Sequence, residues 1–310
     1  VEIVILEVGM GGRLDATNVF KNSLVSIITN VNHEHIEYLG RKISDITREK
    51  AGIIKKNGIV LTGVKQKRAF EVIEEVCRKK KARLFRLGKD IKVQHLNYNK
   101  KDGNFCDFQK FDYQGIFDSF RDVKIKLLGR HQVENAALAL GVIEGLRLRG
   151  IRVAEKHWRK GLEKARWAGR LEVSDCVNSK GEHRNVVLDG AHNPAAMRCL
   201  KNALVENVIP HRRLILVLGI LKDKDVKKMV AEIAPLCHAV VVTSPRTERS
   251  LDRNLLGREV MNYLPSSKVS VEDSVGEALN RALEIARKDD LICVTGSLYT
   301  VGEARSTLKL

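Results

Sequence analysis

Aromatic residues are scarce in this chain of 310 residues, at 5%. No basic run is interleaved with them, so the stacking platform of a single-strand nucleic-acid-binding protein is missing. The six cysteines (Cys77, Cys106, Cys176, Cys199, Cys237 and Cys293) form no CxxC pair. Scattered thiols argue against a zinc ribbon or a disulfide framework and fit a reducing compartment. No apolar run approaches the length of a bilayer-spanning helix and no signal-peptide pattern is found, so a cytoplasmic protein with no membrane partner is expected. Internal repeats and low-complexity linkers are missing as well.

What is present is enough for a large core. A chain of this length with 44% hydrophobic residues is expected to form two domains. The net charge of +17 suits an anionic partner without separating nucleic acid from nucleotides and polyanionic metabolites. The run Lys79–Lys81 is expected to lie on a solvated face. Val1 to Val8 is almost unbroken apolar, as a parallel strand covered on both faces should be. "LVSIITNV" and "GIVLTG" read as further buried strands, while "ISDITREKAGII" and "QKRAFEVIEEVCRKKK" have helical spacing. Residues 91–128 turn polar and alternating, which predicts a small antiparallel sheet. Helices are predicted at "HQVENAALALGVIEGLRLRG" and "VAEKHWRKGLEKA". Beyond Trp167, "NVVLDG", "RLILVLGI", "HAVVVTS", "KVSVED" and "DLICVTGS" read as strands, each followed by a helix-like segment. That alternation predicts an open, mostly parallel α/β domain, with a boundary near residues 165–170.

The glycines of "EVGMGGRLDATN" (7–18) follow the first apolar run, where a nucleotide-binding turn is often found. They do not complete a dinucleotide fingerprint, because Leu14 stands where the third glycine belongs and no acidic residue ends a second strand at the expected distance. A plain tight turn is one reading. Against it stand Glu7, Arg13, Asp15, Thr17 and Asn18, polar groups placed where open α/β sheets bind their ligands. A second concentration follows the next strand, His33, Glu34, His35 and Glu37. Taken with Glu7, these residues suit zinc or manganese, or magnesium if phosphates supply the remaining oxygens. Lys50, in "REKAGI", reads by itself as a surface lysine.

Taken together, "EVGMGGRLDATN", "EHIEYLG", "REKAGII", "GRHQVENAALAL", "GRLEV", "LDGAHNPAA", "PRTERSL" and "VTGSLYTVGEAR" occur in the order seen in folylpolyglutamate synthases, members of the Mur ligase superfamily. The match extends over nearly the whole chain, and "GGRLDATN" resembles the bacterial bifunctional dihydrofolate synthase/folylpolyglutamate synthase form. The resemblance implies an α/β protein with a Mur-ligase-like central ATPase domain (1–166), followed by a Rossmann-like open α/β C-terminal domain (167–310). It also implies an ATP-dependent amide ligase of folate metabolism, adding L-glutamate to dihydropteroate or to the γ-carboxyl of a folate through an acyl phosphate.

The same resemblance assigns residues. Glu7 and His35 match ligands of the Mg²⁺ that bridges ATP and the acceptor carboxylate, with a monovalent cation as a further candidate. Lys50 matches a lysine carbamylated in the superfamily; carbamylation would turn a cation into a carboxylate-like group near the metal. Leu14, Asp15 and Ala16 match the pterin-contacting segment, and Asn135 matches an ATP contact. Arg170 matches an interdomain arginine on the ATP phosphates, a role that suits a permanently charged guanidinium. Asp189, Gly190, Ala191 and His192 match the nucleotide-facing segment of the C-terminal domain, with His192 also counted among the catalytic residues. Read without the family, Arg170 is a surface arginine and "DGAHNP" a strand-to-helix turn with Pro194 at the helix start.

Some features depart from the pattern. Glu34 stands where the family has aspartate, Ala168 where proline is common, and a polar insert, "SDCVNSKGEHR", separates Arg170 from Asp189. No GxxxxGK[ST] occurs in the 310 residues, and the resemblance puts that phosphate-cradling loop upstream of Val1. The chain also lacks an initiator Met. It is therefore expected to be a fragment lacking its N-terminal part, a monomer, and nearly inactive as a ligase alone. The alternatives are a peptidoglycan-type Mur ligase and a non-catalytic basic protein that binds nucleic acid.

Overall fold

The computed structural model describes residues 2–33, 36–100 and 106–310. The chain divides into two compact units. One comprises Val1–Asn97, Lys110–Ile125 and His131–Lys164; the other comprises Tyr98–Gln109, Lys126–Arg130 and Ala165–Leu310.

The first unit is built on a parallel sheet of β1 (Ser26–Ile28), β2 (Ile59–Thr62) and β3 (Arg83–Arg86), in that order. Between β1 and β2 lie α1 (Ile36–Leu39) and α2 (Ile43–Ala51), and α3 (Lys67–Lys80) joins β2 to β3. Strand β2 is buried along its whole length, and alternation sends its side chains to two cores. Val60 packs with Ile28, Ile46 of α2, and Ala69, Ile73 and Cys77 of α3. The last three are spaced to share one helix face. On the opposite side, Ile59 and Leu61 pack into a core with Phe111, Tyr113, Val123 and Ile125. These four side chains come from the sheet β4 (Lys92–Lys100), β5 (Cys106–Gln114) and β6 (Ser119–Ile125), whose strands neighbour one another in chain order. Helices α4 (Arg130–Arg147) and α5 (Glu155–Lys164) complete the same core with Val133, Leu140 and Trp158.

The apolar run 2–8 differs from its predicted strand. It carries no strand, and Ile3, Val4, Ile5 and Leu6 are exposed, Ile5 at 92%. A run of branched residues becomes a buried strand only where a neighbour completes its ladder and other layers cover it. Strand β1 lies at the edge of its sheet with β2 as its neighbour, and among the described residues nothing pairs with 2–8.

The second unit is an open sheet in the order β11-β10-β9-β12-β8-β7. Its strands are β7 (Glu172–Val177), β8 (His183–Leu188), β9 (Leu214–Leu218), β10 (Ala239–Val242), β11 (Val269–Val271) and β12 (Leu291–Thr295). Helices α6 (Pro194–Val205), α7 (Val226–Ile233), α8 (Arg253–Val260), α9 (Val275–Ile285) and α10 (Leu298–Leu308) follow β8 to β12 one by one, as the alternation predicted. Val187, Leu216, Leu218, Val240 and Cys293 pack on one face with side chains of α6, α7 and α8. Val186, Leu188, Ile215, Val217 and Ile292 pack on the other with α9 and α10. Every pairing in this sheet is parallel except β7 with β8, which run antiparallel from Glu172↔Leu188 to Val177↔His183. The polar insert is thus the tip and flanks of a hairpin, a strand that sequence alternation had not identified.

A buried carboxylate fixes the small sheet to α4. Glu144 is 2% exposed, accepts 2.6 Å from the Tyr113 hydroxyl, and accepts from the amides of Ile116, Phe117 and Asp118 at 2.7–2.9 Å. The turn between β5 and β6 therefore satisfies its amides with one side chain from a helix. Glu144→Ala would leave these donors without their acceptor and is expected to lower stability by about 3 kcal/mol or more in urea denaturation. Glu144→Ala with unchanged stability would refute this role.

Candidate functional site

In the second unit the chemistry gathers at the carboxyl ends of β8, β9 and β12. Here the sheet changes direction: β12 separates β8 from β9, and the strands after β9 run outward to the edge. Such a switch point leaves a crevice beyond the strand ends. Asp189 stands one residue past β8, and its amide is bonded to Val294 of β12. Its carboxylate is 7% exposed and accepts from the amides of Leu171 and Ala191, each at 3.0 Å. Burial pushes its pKa up from 3.8 to about 6, against the opposing pull of those amides and of the Arg170 and His192 charges.

These bonds also shape the turn that carries Arg170. Gly190 donates to the Gly169 carbonyl at 2.8 Å, and the Gly169 amide donates to Glu172 at 2.8 Å. Glu172 is held in turn by Arg305 of α10, 3.0 Å away. Leu171 has φ +43, a left-handed conformation unusual for a leucine. Backbone on both sides of Arg170 is thus tied down, while the side chain stays half-buried above Gly190. A Cβ at Gly190 would come within 2.5 Å of the Leu298 side chain and 3.3 Å of the Arg170 guanidinium, so a larger residue there would have to displace both side chains. His192 places Nδ1 2.8 Å from the Gly190 carbonyl. A carbonyl only accepts, so Nδ1 carries a proton, and in the neutral tautomer Nε2 is the acceptor. Asn193 then caps α6 by accepting from Ala196 at 2.8 Å, with Pro194 in the first turn.

In the first unit the loop after the apolar run packs against the end of α2. Arg13 donates its amide to the Glu49 carbonyl at 2.8 Å and its Nε to the Glu49 carboxylate at 3.0 Å. Gly12 (φ +154) lies so close to α2 that a Cβ would stand 2.9 Å from the Glu49 carbonyl and 3.1 Å from that of Lys50. Asp15 binds the loop to itself. Its carboxylate accepts from the amides of Gly9 and Met10 at 3.0 Å, and from the Thr17 amide at 2.9 Å and hydroxyl at 2.6 Å. The Thr17 hydroxyl, followed by the Met10 and Thr17 amides, holds its pKa down at about 2.

The Mur ligase middle domain matches residues 1–143, and the Mur ligase glutamate ligase domain matches residues 169–298. The dihydrofolate synthase/folylpolyglutamate synthase of Bacillus subtilis (strain 168) is 30% identical over 310 residues, which are 100% of this chain and 68% of that protein. The chain belongs to the dihydrofolate synthase/folylpolyglutamate synthase family of Mur ligases. Among solved structures, Mycobacterium tuberculosis folylpolyglutamate synthase complexed with ADP and AMPPCP matches with a TM-score of 0.84 and 30% identity, covering 98% of this chain and 67% of that one. The Escherichia coli FolC complex with DHPP and ADP matches with a TM-score of 0.78 and 26% identity, covering 97% and 65%. This family member therefore spans about two thirds of the length of those relatives.

In this Mur ligase chain the residues singled out from sequence fall into separate groups. Arg170, Asp189, Gly190, Ala191 and His192 form one connected arrangement. Leu14, Asp15 and Ala16 are brought to the end of α2, the helix that carries Lys50, with Leu14 80% exposed. Among the described residues the Lys50 ammonium has no hydrogen-bond or ion-pair partner. Glu7 is exposed on the irregular 2–8 segment, and His35, its expected co-ligand, lies outside the described residues. No group of three His, Cys, Asp or Glu among the described residues is arranged to hold a metal ion. Asn135 is exposed on α4, donating to Gln132 at 3.2 Å.

Sequence reasoning had assigned no role to Glu172 or Ser297. Ser297, two residues past β12, is 1% exposed and caps α10 by accepting from the Thr300 amide at 3.0 Å. A serine following the strand "LICVTG" and opening a helical run was the signal for it.

The raised pKa of Asp189 has a sign that experiment can read. Below pH 3.8 both folded and unfolded states hold the proton; between 3.8 and about 6 only the folded state does. Its stabilisation is thus present in acid and lost as pH rises through about 6. Between pH ~4 and ~7 the parent should lose on the order of 2 kcal/mol of unfolding free energy relative to Asp189→Asn. Parallel urea-stability profiles for the two proteins would contradict the assignment.

Proposed function

We propose that this chain works as an ATP-dependent amide ligase, adding L-glutamate to dihydropteroate or to the γ-carboxyl of a folate's terminal glutamate. Residues 1–166 would act as the central ATP-binding domain and 167–310 as the glutamate ligase domain. The observation that carries the reading is the clamped Arg170 beside Asp189 and His192 at the switch point, in a chain whose relatives carry these synthase names. The structures of two relatives contain ADP, and one also contains DHPP.

A carboxylate is a poor electrophile. In the proposed reaction an acceptor carboxylate oxygen attacks the γ-phosphorus of ATP and ADP leaves, forming an acyl phosphate. The amine of L-glutamate then attacks the acyl carbon, phosphate departs, and the nitrogen loses its proton. Arg170 supplies a fixed positive charge for the phosphate oxygens, and because its turn is held in advance little reorganisation is needed. Asp189 acts as a positioning residue through the Leu171 amide. His192, with Nδ1 committed to Gly190, offers Nε2 to a proton of the incoming amine. Leu14 and Ala16 offer exposed surface to the pterin, whereas both Asp15 oxygens are engaged within their own loop. Asn135 is exposed for a nucleotide contact.

Magnesium is consistent with these residues, because it takes one or two carboxylates alongside substrate phosphates and water, and the Glu7 carboxylate is exposed and has no partner among the described residues. Glu7 and His35 would hold it, and when bound it would neutralise phosphate charge. A carbamate on the unpartnered Lys50 would add an anionic group to that side.

The full-length gene product should form ADP, phosphate and a glutamylated product from ATP, L-glutamate and either dihydropteroate or tetrahydrofolate. It should do so without turning over UDP-muramyl substrates; turnover of those alone would replace this reading with a peptidoglycan-type ligase. Arg170→Ala is expected to lower kcat at least about 100-fold with an unchanged melting temperature. With ¹³C-bicarbonate, a carbamate carbonyl resonance should be seen that Lys50→Arg abolishes; its absence from the parent would remove Lys50 from the metal side.

A further inference from the structure

The lysine run at 79–81 lies on a solvated face as expected, with Lys79 and Lys81 exposed, and there it also lines an open pocket of about 370 Å³ in the first unit. Six lysines surround it: Lys79, Lys80 and Lys81 at the end of α3, Lys55 and Lys56 from the loop after α2, and Lys21 from the loop before β1. Gly52 and Ile54 complete the lining, which contains no carboxylate. Two of these lysines are in the last turn of α3, where cations offset the helix dipole. That explanation does not extend to Lys21, Lys55 and Lys56, which arrive from elsewhere and raise the repulsion.

The wall is partly fastened and partly free. Lys55 donates to Asn18 Oδ1 at 2.7 Å, Lys80 to the Ile54 carbonyl at 2.5 Å, and Lys79 to Glu75 at 2.5 Å. An ammonium carries three donors, so each keeps protons to offer. Lys21, Lys56 and Lys81 are exposed and have no partner among the described residues. Burial lowers the pKa of Lys55, and the nearby Lys80 charge adds to the shift in the same direction.

We infer that this pocket is a binding site for a small multivalent anion, an oligophosphate or an oligo-γ-glutamyl carboxylate, held by ammonium groups converging from three segments. Point-like, strongly hydrated ammonium groups on flexible stems suit a chain of tetrahedral or carboxylate anions better than one planar partner. The site also adjoins the Arg13–Asn18 loop. Lys55 holds Asn18, whose amide donates to the carbonyls of Arg13 at 3.2 Å and Gly52 at 3.4 Å. An anion that shares Lys55 therefore bears on that loop. The choice of an oligo-γ-glutamyl carboxylate rests on the ligase reading, whereas the converging ammonium groups and the oligophosphate arm do not.

The test is calorimetric titration of the protein with tripolyphosphate and, separately, with tri-γ-glutamate, at ionic strength fixed with sodium chloride. At least one of the two should bind, and which one does so identifies the chemical source. Tripolyphosphate also suits a nucleotide site, so the decisive reading is the difference between proteins. Lys21→Gln/Lys56→Gln/Lys81→Gln should weaken binding at least tenfold, and Lys55→Gln should weaken it as well. The three side chains of the triple variant are exposed and unpartnered, and its thermal melt checks that it folds; the single variants carry the same comparison if it does not. Affinity equal in parent and variants, or no binding of either anion beyond that of chloride, would overturn the site.

Discussion

The second unit depends on one buried carboxylate. Asp189 has little water to solvate it, and the amides of Leu171 and Ala191 replace only part of what it lost. Removing it would leave two amides without their acceptor and release the 169–171 turn, whose left-handed Leu171 needs outside support. The arginine between them would then become an ordinary flexible surface side chain. A site that needs a guanidinium in one place at the moment charge develops gains from this arrangement, since the folding of β8 and β12 fixes the arginine's backbone beforehand.

The first unit uses a different device for a similar end. Its loop is positioned by backbone proximity, with Gly12 against the last turn of α2 and the Arg13–Glu49 pair holding it laterally. That pair is largely exposed and contributes little by itself. The positioning comes from contacts that a side chain at residue 12 would prevent. Asp15 directs its hydrogen bonds to the loop's internal shape, which leaves Leu14 and Ala16 exposed on its surface.

Much of this was legible in the sequence because it is local. The strand–helix alternation after Trp167 carries its own periodicity, and β8 to β12 appeared with the helices that follow them. The α3 stripe was legible for the same reason. Motif order also pointed to Arg170 and to Asp189–His192. The misreadings were of features decided by distant residues. Residues 2–8 have the composition of a buried strand, but a strand requires a neighbour, and composition cannot supply one. The polar insert reads as a loop because its outward-facing side chains mask an antiparallel edge strand. Glu144 drew no reading from sequence, since only the folded β5–β6 turn explains its burial. Lys79–Lys81 does lie on a solvated face, but its convergence with Lys21 and Lys55 is visible only in the fold.

The β7–β8 hairpin has a consequence for the molecule as a whole. An open parallel sheet exposes ladder groups along its outer strand, and such edges invite pairing with other chains. Here the edge next to the site is a short strand that reverses direction and carries Asp175, facing His183 at 2.6 Å. Its tip closes on itself, with Asn178 accepting from the amides of Lys180 and Glu182, and Gly181 has open space around its Cα. Charge and brevity make this margin a poor template for aggregation. They also make the tip a point where residues can be added to the chain without disturbing Asp189, just past the far end of β8.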